Sequence, residues 1–232
     1  MNLLAIDTST ECASVALLAN NVIVQSEQHH VREHARYLLP MIAGLLNETG
    51  ITYQQLDGVA FGCGPGSFTG LRISCSVAKG LAYANDLPLY PVSSLVTIAA
   101  QVYAHEPYLS DDTHILVLMD ARMQQMYCAN FIKQKQLGIE KVLAAADVYI
   151  PGNGPVVIAG VDFSPYLSQL PETICSRVTK QLMLSPSAVS MLNLVTAGKV
   201  LAVSAADALP VYVRNQVTHV HSNSSKPAHK GL

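Results

Sequence analysis

The chain has 232 residues, 50% of them hydrophobic and 13% charged, with a formal net charge of −2. That length supports one domain or two small lobes around a real core. The near-zero charge excludes a global basic field for nucleic acid, and no apolar run reaches the roughly 18 residues that a membrane-spanning helix needs.

The elements follow in chain order. Residues 3–7 form an apolar run, TSTE is a turn, 13–18 is a second apolar run, and 22–25 follows the NN turn, which gives three strands. In VREHARYLLPMIAGLLNETG, Leu38, Ile42, Leu45 and Leu46 recur at helical spacing, Gly50 is a fitting stop, and Pro40 is expected to kink the helix. LDGVAFG reads as a strand, SFTGLRISCSVAKGLAYAND as a helix, LPLYPV as a short strand, and SSLVTIAAQVYA as a helix capped by Ser93 or Ser94. After a polar linker at 106–113 the pattern starts again. HILVLMDARMQQMYCANF repeats LLAIDTSTECASVALL, an apolar strand ending in Asp, a turn and another strand, with Asp7 and Asp120 as matching residues. KVLAAADVYI and VVIAGV read as further strands and SAVSMLNLVTAGKVL as a helix. Two tandem lobes of the same type, 1–105 and 106–218, are an internal repeat. The polar tail from His219 is expected to be disordered.

Cys12, Cys63, Cys75, Cys128 and Cys175 form no CxxC pair and read as small core residues in a reducing compartment. The first residues lack a signal-peptide shape, so a cytoplasmic protein is expected. The high apolar fraction points to surface covered by another subunit.

The segment FGCGPGSFTGLRISCSVAKGLA at 61–82 crowds Gly62, Gly64, Gly66 and Gly70 into one turn ahead of a helix. It lacks the Lys-Ser or Lys-Thr pair of a Walker loop and the spacing of a dinucleotide fingerprint. Pro65 and Thr69 flank Ser67 where a nucleophile elbow needs glycines. What survives is a tight turn that delivers Ser67 or Thr69 as an N-cap, at a helix end that attracts anions only weakly. Within the helix Gly70, Ser74, Ala78 and Ala82 fall every fourth residue, and Leu71, Val77 and Leu81 occupy another face. Small side chains on one face allow close approach, either by the chain's own interior or by a partner's helix. His30 and His34 stand four apart, the helical spacing of metal ligands, but no third ligand is evident. Neither they nor Ser67 have the triad spacing of a peptidase, and no catalytic or metal-binding residue is assigned.

GPGSFTGLRIS at 64–74, with AIDTSTECASVAL before it and DARMQQMYCANF and LPVYVR after it, resembles the TsaB (YeaZ) family. These are dimerisation subunits of the bacterial machinery for tRNA threonylcarbamoyladenosine. The likeness is strongest over the first hundred residues, thins through the second lobe and returns at 210–214. It implies an α/β fold of two ribonuclease-H-like lobes in the actin, Hsp70 and sugar-kinase superfamily, with the second lobe abbreviated. It also implies a partner, the catalytic paralogue TsaD, which transfers the threonylcarbamoyl group, and a small ATPase, TsaE. tRNA would be met indirectly through that complex.

In catalytic members of the superfamily, ATP sits between the lobes against glycine-rich hairpins. Here DTSTE and DARMQ have no glycine, and Glu11 adds a negative charge. Asp7, Thr8, Ser9 and Asp120 therefore read as a vestigial cleft, with no cofactor of the chain's own. ATP or ADP and magnesium remain an expectation for the complex. The interface with TsaD is expected on the two helices of the first lobe, with Leu38, Ile42, Leu45, Gly70, Ser74, Ala78 and Ala82 as contacts. The same surface can form a homodimer when TsaD is absent. The alternative is an ATP-dependent kinase or hydrolase that uses the inter-lobe cleft.

Overall fold

The computed structural model describes residues 1–29 and 33–213. The expected tail from His219, His30 of the histidine pair and Arg214 of LPVYVR lie outside them. β1 (Leu3–Asp7) is buried along its whole length, as a central strand covered on both faces must be. It pairs antiparallel with β2 (Ala13–Ala19), and β2 pairs with β3 (Val22–Gln28). Asn20 and Asn21 make the tight turn between them with φ of 51° and 65°, the left-handed pair that such hairpins favour. β4 (Gly58–Gly64) and β5 (Leu89–Ser93) extend the sheet in parallel, in the order β3-β2-β1-β4-β5.

The second sheet contains β6 (His114–Asp120), β7 (Met126–Ile132), β8 (Lys135–Leu143), β9 (Val156–Val161) and β10 (Val178–Met183). Its order is β10-β9-β6-β7-β8. Numbered from its own first strand, each sheet reads 3-2-1-4-5 with the second strand antiparallel to the first. The repeat read from Asp7 and Asp120 is therefore a repeat of whole ribonuclease-H-type sheets.

Among the described residues five helices cover these sheets: α1 (His34–Thr49), α2 (Phe68–Asn85), α3 (Ser94–His105), α4 (Glu172–Cys175) and α5 (Ala188–Thr196). α1 and α2 bury Leu38, Ile42, Cys75 and Ala78 against Ile6, Val15 and Phe61 on one face of the first sheet. The other face carries α5, through Met191 and Leu192. α3 crosses over instead, placing Leu95, Ile98 and Val102 on Ile115 and Val117 of the second sheet. Among the described residues, the far face of that sheet is covered by α4, the 3-10 turns Ala145–Asp147 and Ser164–Gln169 and neighbouring side chains such as Val148, Ile150 and Phe163, so the second lobe is abbreviated in its helices while its sheet is complete. No helix among the described residues is long and apolar enough to cross a membrane.

Three local expectations shift. The strand expected at KVLAAADVYI lies earlier, as β8, and residues 145–147 turn instead. β10 is an extra edge strand, and its polar VTKQLM run hides the pattern of a buried strand. The last helix stops at Thr196, with Gly198 at φ 68° just beyond, the left-handed geometry that glycine tolerates. α1 runs through Pro40, whose ring faces outward. The 105/106 boundary separates the sheets but not the cores, because the chain after β10 returns to the first lobe. There Val203 bridges Leu89, and Val211 N–H donates to the Cys63 carbonyl.

Candidate functional site

The glycine-rich segment holds the chain's own β1–β2 turn. A Cβ on Gly70 would overlap the Thr8 carbonyl oxygen, and one on Gly62 would overlap the Asp7 carboxylate. The glycines therefore let the first turn of α2 lie directly on the Asp7-Thr8-Ser9 backbone. Thr8 Oγ1 donates to the Gly70 carbonyl at 2.7 Å, Ser67 N–H to the Ser9 carbonyl at 2.7 Å, and Ser74 Oγ to the Gly62 carbonyl at 3.1 Å. Ser67 is the N-cap, accepting from Gly70 N–H at 3.3 Å. A Gly70→Ala substitution should therefore lower stability by about 1–3 kcal/mol despite its better helix propensity, because the overlap is with backbone. A thermal melt that stays put or rises would show that the two segments can separate at no cost.

An inter-lobe cleft of about 590 Å³ lies beside this contact. Thr10, Glu11, Ser67 and Phe68 line it from the first lobe, and Asp120, Arg122, Tyr127 and Asp162 from the second. Of the four expected cleft residues, Ser9 and Asp120 border it, while Asp7 and Thr8 are fully buried and absent from its wall. Asp7 Oδ1 accepts from Ser9 N–H at 2.8 Å and Ser9 Oγ at 2.7 Å. Burial pushes its carboxyl up to about 6 from an ordinary 3.8, against the lowering effect of the Ser9 bonds. Asp120 Oδ1 accepts from Tyr166 Oη at 2.6 Å and Arg122 N–H at 2.8 Å, and Asp120 Oδ2 pairs with the Arg122 guanidinium at 3.3 Å. Both strand-end carboxylates thus cap their own surroundings. Among the described residues the wall carries Glu11, Asp120 and Asp162, and its one cation, Arg122, is already paired. These residues do not fit a magnesium triphosphate, whose charge they would repel. His34 is buried at the start of α1, and burial lowers its pKa.

The helix faces differ from expectation. Leu38, Ile42, Leu45, Gly70, Ser74, Ala78 and Ala82, expected as partner contacts, are all buried inside this chain. The small stripe on α2 is small because the helix sits tightly on its own sheet and hairpin. The outward faces carry other residues. Leu39 is 50% exposed and Tyr83 88% exposed, with exposed Pro40, Gly44, Ser76 and Gly80 near them on the two helices. Gly44 and Gly80 are mid-helix, and a Cβ on either would meet nothing within 4 Å. Each costs its helix roughly 0.5–1 kcal/mol relative to alanine, with no internal contact that requires it.

A family model described as TsaD: tRNA N6-adenosine threonylcarbamoyltransferase matches residues 16–225. The tRNA threonylcarbamoyladenosine biosynthesis protein TsaB of Haemophilus influenzae is 32% identical, over 94% of this chain and 95% of its own length. Its namesake from Escherichia coli is 33% identical over 94% and 96%. The chain belongs to the TsaB family. A solved structure of YeaZ from Pseudomonas aeruginosa, at 34% identity, superposes with a TM-score of 0.79 over 91% of this chain and 99% of that one. In this TsaB-family chain the described part of the LPVYVR motif, residues 209–213, which the repeat could not place, reaches the start of α2 through Tyr212. Arg72 donates from Nε to Tyr212 Oη at 3.1 Å and lies 3.8 Å above the Phe68 ring, which itself stands 5.4 Å from the Tyr212 ring. Gly44 and Gly80 were visible in the sequence as glycines inside strong helical patterns, which need a reason.

Proposed function

We propose that this chain is a non-catalytic subunit in the biosynthesis of tRNA threonylcarbamoyladenosine. It binds and activates the catalytic relative TsaD through the outward faces of α1 and α2. The observation that carries this reading is the pair Gly44 and Gly80, exposed mid-helix glycines with open space above them, beside exposed Leu39 and Tyr83. Glycines there let a partner's helix approach the backbone closely. A specific contact of this kind buries at least about 1,000 Å². In the absence of TsaD the same faces can pair about a two-fold axis. TsaE joins the assembled pair, tRNA is met through the complex, and any nucleotide or magnesium is held with the partner chains. The tied carboxylates of the cleft support the non-catalytic part of the reading.

The test measures the size of the chain alone and mixed with TsaD, then assays modified tRNA with each component omitted in turn. A mixed species, and no modification without this chain, are expected. Modification that proceeds without it would overturn the accessory role. Calorimetry of the isolated chain with ATP and magnesium should show no tight binding, and a micromolar or stronger site would favour the kinase or hydrolase alternative.

A further inference from the structure

A second cluster lies at the end of the β2–β3 hairpin. The hairpin register pairs Ser14 with Glu27 and Ala13 with Gln28, and Cys12 and His29 are the next residues outward. Alternate residues of a strand share a face, so Cys12, Ser14, Glu27 and His29 lie together on one side. The Cys12 thiol, a Glu27 carboxylate oxygen and an imidazole nitrogen of His29 all lie within 4.8 Å of one another. Glu27 Oε2 is 3.9 Å from His29 Nε2. The other carboxylate oxygen is already held. Ser14 Oγ donates to Glu27 Oε1 at 3.1 Å and accepts from Ala188 N–H at 2.9 Å, so the first turn of α5 fixes the carboxylate through Ser14. Such outer hydrogen bonds orient metal ligands. A cavity of about 210 Å³ adjoins the cluster, lined by Cys12, Thr10 and His29 and, from the second sheet, by Gly160, Asp162 and Ser185.

We propose that Cys12, Glu27 and His29 bind a divalent transition metal of the zinc class, with the fourth coordination position open to this cavity. One sulfur, one nitrogen and one carboxylate oxygen suit zinc or cobalt and disfavour magnesium or calcium, which take oxygen sets. A tetrahedral ion draws its ligand atoms to separations of about 3.5 Å. Glu27 and His29, exposed at the strand end, can close that gap while buried Cys12 stays in place. Binding replaces the thiol proton, which leaves to solvent as the sulfur–metal bond forms. Thiolate and carboxylate then neutralise the ion, and imidazole adds no charge. Cys12, read from sequence as a small core residue, becomes a ligand, and a bond to His29 anchors the chain shortly ahead of α1.

The test uses the full chain, stripped with chelator and titrated with cobalt(II) and zinc(II) by absorbance and calorimetry. One equivalent should bind, with a thiolate-to-cobalt charge-transfer band and the strong visible bands of a tetrahedral site. Cys12→Ser should abolish the charge-transfer band. Glu27→Gln and the exposed His29→Gln should each weaken binding at least 10-fold, with circular dichroism unchanged. Replacing the tail histidines, His219→Gln with His221→Gln and His229→Gln, should leave the site intact. A wild-type titration without the thiolate band overturns the proposal. So does binding that survives Cys12→Ser and disappears with the tail histidines, which would be an adventitious ion only.

Discussion

A Gly80→Arg chain is expected to fold and melt at least as well as the parent, yet to lose TsaD by more than ~100-fold in affinity. Arginine outranks glycine in helix propensity by roughly 0.8 kcal/mol, and the space above Gly80 is open in the free chain, so the monomer has no cause to suffer. In a close helix–helix contact the same side chain would have to displace the partner or bury an unpaired charge. The latter costs about 3–5 kcal/mol, or roughly 100- to 1,000-fold or more at 1.4 kcal/mol per decade. Gly80→Ala is the graded control, with a more stable monomer and a much smaller loss of affinity. Substituting Ala78 cannot serve, because Ala78 is fully buried and arginine there would unfold the first lobe. Size-exclusion chromatography and calorimetry with TsaD read the result directly. A Gly80→Arg chain that holds TsaD as tightly as the parent moves the contact off this face.

The contrast between Ala78 and Gly80 shows what the amino-acid sequence makes legible. The periodicity of α2 marks two non-polar sides correctly, because burial and close packing both select small or apolar residues. It does not orient them. A row of small residues every fourth position satisfies a helix lying on its own hairpin as well as one lying on a partner, and only the closeness of Gly70 to Thr8 distinguishes the two. The repeat was readable because Asp7 and Asp120 end matching apolar strands at matching turns. The return of residues 203–211 to the first lobe was not, since it rests on single contacts such as Val211 with Cys63 that leave no period. Cys12 read as a small core residue because its proximity to His29 depends on hairpin register, which places residues far apart in sequence on one face.

Asp7 gives the other large effect, a stability that falls as pH rises through the weakly acidic range. Its carboxyl is fully buried, and Oδ2 has no hydrogen-bond partner among the described residues. The folded pKa of about 6 exceeds the ordinary 3.8, so between those values the folded state binds a proton that the unfolded state releases. Stability is therefore greatest, as far as this group is concerned, below pH 4. It declines across pH 4–6 and levels off above, with a total loss of about 3 kcal/mol at 1.36 kcal/mol per pKa unit. Asp7→Asn keeps an oxygen for the two Ser9 bonds and cannot ionise. Its own offset in stability depends on how the buried amide is accommodated, but that offset does not vary with pH. The diagnostic quantity is thus the difference between the two chains. In urea unfolding from pH 4 to pH 7, the parent should lose about 2.4 kcal/mol relative to the variant, the share of the total that falls inside that window. His34, with its lowered pKa, acts in the opposite sense, adding stability as pH rises, and it contributes equally to both chains. Parallel pH profiles would mean that Asp7 ionises at no cost, which requires a cation or water at Oδ2 and would reopen the strand end to a charged ligand.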